Sequence, residues 1–241
     1  MYLRFATTIL LSLVAATASA QATRTEQKSF AVRDDATELR LDLPFGSLIK
    51  VTGWDKQEVA FTANININGG ELNEAVSLTY QNDPDQLRIE MELDRDLIRN
   101  YSGTFTEEDC QEHGEGHGGH WNWEDGRSYF ICQIITYEVK VPRGMKVKLE
   151  TINNTVELRN LAGPLDIQTI NGEVDLDWKA SAAAEFRFES IHGELFSDLD
   201  LPTDGDKPGS FGLNYRTAWQ GGRGPQVKLK TINGHIYVRR R

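Results

Sequence analysis

The sequence predicts an all-β chain built as a repetitive β-solenoid, and two observations carry that reading. The first is a phrase that returns along the C-terminal half: Thr151-Ile152-Asn153-Asn154, Thr169-Ile170-Asn171-Gly172, Ser190-Ile191-His192-Gly193 and Thr231-Ile232-Asn233-Gly234. Its copies are 18, 21 and 41 residues apart, and a near-constant period marks stacked repeats. The second is the run before each copy. Val147-Lys148-Leu149-Glu150, Leu165-Asp166-Ile167-Gln168 and Val227-Lys228-Leu229-Lys230 alternate apolar with polar residues, as half-buried strands do. The alternative arrangement is an antiparallel β-sandwich in which each Asn-Gly makes a two-residue hairpin turn. The constant phrase in a constant place favours the solenoid. The 41-residue gap, about two periods, calls for a degenerate copy near Phe211 to Tyr215.

In chain order, residues 1–20 read as a signal peptide. Arg4 supplies the basic start, residues 9–16 the apolar stretch, and Ala18-Ser19-Ala20 the cleavage site. The apolar run is too short to span a bilayer, and no cysteine follows it to take a lipid anchor. Residues 21–93 form an N-terminal β-rich part. Leu39, Leu41 and Leu43 alternate with Arg40 and Asp42, Pro44-Phe45-Gly46 interrupts them, and Val59, Phe61, Ala63, Ile65 and Ile67 alternate again. A further pair of strands flanks the turn Asn82-Asp83-Pro84-Asp85. Residues 94–127 are polar, glycine-rich and poor in aliphatics, an insertion loop. Residues 128–241 hold the β-repeat part. Residues 180–184 are the best short helix candidate, and the rest reads as strand and turn.

The corner residues have separate tasks. Glycine accepts a positive φ without steric cost, and asparagine is the next most tolerant residue, which suits Asn154 in the first copy. Stacked corners let asparagine side chains bond from rung to rung. The expected structural corners are therefore Asn153, Asn154, Asn171, Gly172, His192, Gly193, Asn233 and Gly234, with His192 as one rung of the ladder.

The repeated phrase, the Val141-Pro142-Arg143-Gly144 segment and Gly53-Trp54-Asp55-Lys56-Gln57-Glu58-Val59 together resemble the "putative adhesin" family of exported bacterial proteins. The resemblance covers residue 30 to the C-terminus, apart from the insertion. It implies a right-handed, parallel β-helix-like solenoid and a role in surface binding. The family is a domain of unknown function, and the resemblance brings no catalytic residues.

A net charge of −10 repels nucleic-acid phosphates, so no nucleic-acid partner is expected. The two cysteines, Cys110 and Cys132, are expected to form a disulfide in an oxidising compartment. The strongest local constellation lies in the insertion, where His113, His117 and His120 are spaced by four and three residues with Glu112 and Glu115 among them. Imidazole and carboxylate groups in that pattern suit a divalent transition metal such as Zn, Cu or Ni. The plainer reading, preferred here, is a solvated loop pinned by the disulfide, with no cofactor. Trp121, Trp123 and Tyr129 are aromatic groups of the kind that build sugar or protein contacts, although packing on the β body is the preferred reading. Acidic residues such as Glu107, Glu108 and Asp109 lack the spacing of a calcium loop. No nucleophile elbow, phosphate loop, dinucleotide fingerprint or zinc-protease motif occurs.

The sequence thus points to a non-enzymatic, adhesin-like binding or scaffold protein of the cell envelope, located in the periplasm, on the outer surface or outside the cell. The expected partners are a surface polysaccharide or an envelope protein, with self-association through open strand edges as a further option. The alternative function is an envelope metal-binding protein using the histidine-rich insertion.

Overall fold

The computed structural model describes residues 23–33, 37–112, 117–122, 126, 128–201, 213–219 and 223–241. The expected signal peptide lies outside them. In order, the strands are β1 (Arg24–Ala31), β2 (Glu38–Asp42), β3 (Leu48–Trp54), β4 (Glu58–Ile67), β5 (Val76–Asn82) and β6 (Gln86–Leu93). Helices α1 (Arg95–Arg99) and α2 (Glu107–Glu112) follow, then β7 (His117–Asn122), β8 (Ser128–Pro142), β9 (Lys146–Glu150), β10 (Thr155–Arg159), β11 (Leu165–Gln168) and β12 (Val174–Trp178). The last strands are β13 (Ala184–Ser190), β14 (Leu195–Ser197), β15 (Leu213–Trp219), β16 (Gln226–Thr231) and β17 (Ile236–Arg240). Among the described residues, no helix is long and apolar enough to cross a membrane.

The chain is all-β, in two mixed sheets that share one apolar core. One sheet runs β1-β4-β8-β3-β10-β12-β17-β14, with β7 added to β8; the other runs β15-β13-β16-β11-β9-β2-β6-β5. Pairs from β8 through β14 in the first sheet, and from β13 through β6 in the second, are parallel. Antiparallel strands close the remaining edges. Alternation decides which face is buried. In β9, Val147 and Leu149 point inward and Lys148 and Glu150 outward, and β11 and β16 repeat this in register. Phe186 and Phe188 stack in this core at 5.4 Å, with Trp178 edge-on to Phe186 at 5.6 Å. Each such buried ring contributes about 2–3 kcal/mol of apolar burial.

The layout is sandwich-like, but the Asn-Gly corners are not hairpins. A hairpin sets its two strands side by side in one sheet. Here β9 and β10, joined by the first corner, lie in different sheets, and so do β11 and β12. Two further expectations are corrected. The stretch near residues 211–215 does not supply a degenerate parallel copy: Phe211 and Gly212 lie outside the described residues, while β15 from Leu213 onward pairs antiparallel with β13. The long gap has a different cause, because the chain turns back and β16 enters between β11 and β13. Residues 180–184 are a turn leading into β13, where Ala182 O accepts from the Trp178 indole.

The two α-helices among the described residues lie in the insertion, where capping explains them. Asp94 Oδ1 accepts from the backbone N–H groups of Asp96 and Leu97 and starts α1. Thr106 and Asp109 exchange hydrogen bonds as a capping box that starts α2. Cys110 of α2 is bonded to Cys132 of β8, with the two Cα atoms 5.7 Å apart. The buried Asn68 supports the same region, donating to Phe130 O and accepting from Cys132 N.

Candidate functional site: the corner column and its groove

The four corners stack in one column, in the spatial order 153, 171, 233, 192. Asn171 Nδ2 donates to Asn153 Oδ1 at 2.8 Å, and Asn233 Nδ2 donates to Asn171 Oδ1 at 2.7 Å. His192 Nδ1 lies 3.0 Å from Asn233 Oδ1. That oxygen only accepts, so Nδ1 carries the proton in this contact. All donors then point the same way along the column, an arrangement in which bonds polarise one another. Backbone bonds follow the same order. Asn171 N donates to Ile152 O, Asn233 N to Ile170 O and His192 N to Ile232 O. Pro44 O accepts from Ile152 N and Asn153 N, so the corner between β2 and β3 is the rung before the first repeat.

Beneath the asparagines runs a buried row of hydroxyls. Thr169, Thr231 and Ser190 each accept from the N–H three residues on, that of Gly172, Gly234 and Gly193 respectively. Thr231 also donates to Gly172 O at 3.1 Å, and Ser190 to Gly234 O at 3.3 Å. Thr151 donates to Leu43 O at 2.6 Å. The first letter of the T-x-N-G phrase thus closes the corner through its hydroxyl, a role that sequence reasoning did not assign to it.

The glycines are required for a reason other than the expected one. None of Gly172, Gly193 and Gly234 has a positive φ. A Cβ on Gly172 would overlap Asn154 O, one on Gly234 would overlap Gly172 O, and one on Gly193 would overlap Gly234 O. Close stacking of backbone on backbone excludes a side chain there. Asn154 is tolerated because its neighbour in the column is Gly46, where a Cβ would collide with Asn154 Oδ1. The Asn154 amide is wholly buried and donates to Leu43 O and Thr151 Oγ1.

The second residue of each phrase, isoleucine, faces outward. Ile170 and Ile191 are 38% and 48% exposed. Ile152, Ile170 and Ile232 lie on successive rungs and floor an open groove of about 500 Å³, together with Pro44 and Met91. Its rim carries Asp42, Glu90, Glu92, Glu150, Gln168 and Lys230. Several of these are held by neighbours across the strands. Asp42 binds Arg40 and Arg88 at 3.1 and 2.9 Å, and Glu150 binds Lys148 at 3.0 Å. Because β6 ends at Leu93, Met91 and Glu92 bring the groove to the start of the insertion. Sequence reading missed the isoleucines as a site; their signal was the same repeat, since equal positions in stacked rungs must share a face.

On the opposite sheet Asp175 sits between Arg159 and Arg239, each 3.0 Å away. Burial pushes its carboxyl up, but the hydrogen bonds from the two guanidinium groups outweigh that and hold it below its ordinary value. Tyr137 is fully buried, which pushes its hydroxyl well above the usual range; it donates to Phe45 O at 3.0 Å.

The metal candidates are only partly placed. His113 and Glu115 lie outside the described residues, as do the side chains of Glu112 and His117. His120 lies in β7, with its ring edge-on to Phe130 at 5.5 Å. Among the described residues, no group of three or more His, Cys, Asp or Glu could hold a metal ion. Trp123 and the side chains of Trp121 and Tyr129 also lie outside the described residues.

No protein-family model matches the chain, and no curated protein matches its sequence. Its fold is similar to that of a "putative cell adhesion protein" from Clostridium sporogenes, with a TM-score of 0.55 at 12% identity over 91% of this chain and 100% of that one. Two structures called "putative adhesin", from Bacteroides fragilis and Parabacteroides distasonis, align at 7% and 9% identity over 92% of this chain and 99% and 98% of theirs. Both have TM-scores of 0.24, so the shared fold rests on the Clostridium protein.

Proposed function

We propose that this chain is an exported, non-enzymatic binding module of the cell envelope, adhesin-like in use, and that it grips an extended partner along the corner groove. The observation that carries this reading is the groove itself. It repeats one apolar residue per rung, and neighbouring rungs of a sheet lie about 4.8 Å apart. A polymer lying along the column would meet the same contact several times, flanked by the polar rim. A surface polysaccharide or an extended segment of an envelope protein has that form. The Cys110–Cys132 bond supports an oxidising location, such as the periplasm or the cell exterior. The adhesion role named for the Clostridium protein supports the same direction through fold alone. We read the alternating path between the sheets as a β-solenoid in which the last repeat is threaded between the second and third repeats of the C-terminal part. The described strands within 21–93 and 128–241 supply the coils, and the insertion falls where a corner between β6 and β8 would be.

The test is binding of residues 21–241, fluorescently labelled, to arrays of bacterial surface polysaccharides and immobilised envelope proteins. Parent protein should bind saturably. A double Ile170→Glu/Ile232→Glu variant that melts like the parent should bind about tenfold more weakly or worse. No binding by the parent, or equal binding by the variant, would overturn the proposal.

A further inference from the structure

The geometry points to a second ligand site, a saccharide-binding platform at the end of the first sheet, formed by Phe196, Tyr237 and His235. It is independent of the corner groove. Strands β14 and β17 pair in parallel, with Phe196 opposite Tyr237. Their rings stack at 5.2 Å with planes 15° apart, and His235 sets its ring edge-on to both, at 5.5 and 6.2 Å. The His235 ring is fixed in turn by the Glu194 N–H, which donates to Nδ1 at 3.1 Å. Among the described residues β14 ends the sheet, so the stack has no further rung beyond Phe196. Phe196 is 44% exposed, high for a phenylalanine already stacked on another ring.

A cleft of about 440 Å³ adjoins the stack, lined by Leu195, Phe196, Ser197, Asp198, Tyr237 and Arg239. Its size falls in the range of small-ligand sites. The chemistry suits a pyranose. The aromatic face is electron-rich and attracts the polarised C–H groups on one face of a sugar ring. The ring hydroxyls need donors and acceptors side by side at the rim, and Arg239, Ser197 and Asp198 supply them. All three are held in place. Ser197 Oγ donates to Leu199 O at 3.3 Å and accepts from Leu199 N at 3.1 Å, which leaves it a lone pair to accept with. Arg239 Nε donates to Asp175 at 3.0 Å, with its guanidinium 5.3 Å from the centre of the Tyr237 ring. Asp198 Oδ1 accepts from the Arg240 N–H. One acid and one base at the rim balance in charge, which fits a neutral sugar better than an ionic one.

An added β-strand is the competing occupant, and two features count against it. Strand β14 is only three residues long, and Glu194, Asp198 and Asp200 flank it. Short, charged edges resist pairing.

The experiment titrates isotope-labelled protein, residues 21–241, with three neutral probes at millimolar concentration: cellotetraose, chitotetraose and β1,4-galactotetraose. Amide shifts are followed by NMR. At least one probe should shift the β14 and β17 amides saturably. Phe196→Ala should weaken that binding about tenfold or more, Phe196→Trp should retain it, and Ile170→Glu in the groove should leave it unchanged. Phe196→Leu serves in place of the alanine variant if the latter melts early. The proposal is overturned if no probe gives a saturable shift, or if removing the ring leaves the shifts unaltered. It is equally overturned if Phe196→Ala instead abolishes a dimer seen by sedimentation while no probe binds.

Discussion

Asn233 donates its side-chain amide to Asn171 at 2.7 Å, although 62 residues separate them and the intervening repeat carries His192. The last repeat in sequence is therefore third in space. Strand β16 lies between β11 and β13, and β17 between β12 and β14, so both strands of the final repeat are paired on both sides. Strands β16 and β17 are thus interior elements of the stack, and the proposed groove cannot form until both have been added.

The hydroxyl row should be sensitive to loss of its oxygen. Thr231 is wholly buried, accepts from Gly234 N and donates to Gly172 O. Thr231→Val keeps the shape and leaves both backbone groups without that partner, which should cost about 2–4 kcal/mol. Thr231→Ser should cost much less. Urea unfolding of the three proteins checks this, and equal losses for valine and serine would count against the hydroxyl.

The close approach at the corners gives a second expectation. Gly234→Ala would force a methyl group against Gly172 O and should destabilise by about 1–3 kcal/mol. A half-buried glycine of β7 with open space where a Cβ would lie, Gly119, is the control, and the same change there should be near neutral. Thermal melts of the two variants separate a steric requirement from a general cost of losing glycine.

Much of this column could be read in the chain before any coordinates. Alternation of Val147, Leu149, Leu165 and Ile167 with charged neighbours reports directly on which face is buried, because side-chain direction has period two. The Asn-to-Asn contact follows from stacking equal positions. The order of stacking does not, since Asn171 and Asn233 carry no local signal of which rung lies next to which. The role of Gly172 was misassigned for a related reason: a close approach between rungs leaves no mark on the residue's own dihedral preferences. The Phe196–Tyr237 platform was missed because its partners come from repeats 41 residues apart and meet only after the last repeat is threaded. The helices in the insertion had readable caps at Asp94 and Thr106, but their few apolar residues show no helical period.

The disulfide should act locally. Its cysteines are 22 residues apart, a loop for which bridging is worth about 3 kcal/mol. A Cys110→Ser/Cys132→Ser variant should lose about that much stability, and hydrogen exchange should rise in α2 and β7 well before β10 or β12. Uniform exchange across both regions would contradict this.

Acid should expose the contribution of Asp175. Its folded value lies below its ordinary value of 3.8, so ionised Asp175 stabilises fully above that value. The contribution disappears only as pH falls through the lower, folded value. Asp175→Asn should therefore be less stable than parent at neutral pH, with the gap in urea midpoint closing only below about pH 4. A gap that closes nearer neutrality would assign it to another group.

The groove depends on Ile232 lying beside Ile170, and so on the threading of the last repeat. Engineered cysteine pairs test this most directly, because adjacent parallel rungs, about 4.8 Å apart, fall within disulfide reach. Under mild oxidation, Asn171→Cys/Asn233→Cys should cross-link rapidly, while Asn171→Cys/His192→Cys should stay reduced. Rapid closure of the second pair and not the first would mean that the repeats stack in sequence order, and the groove as described would not exist.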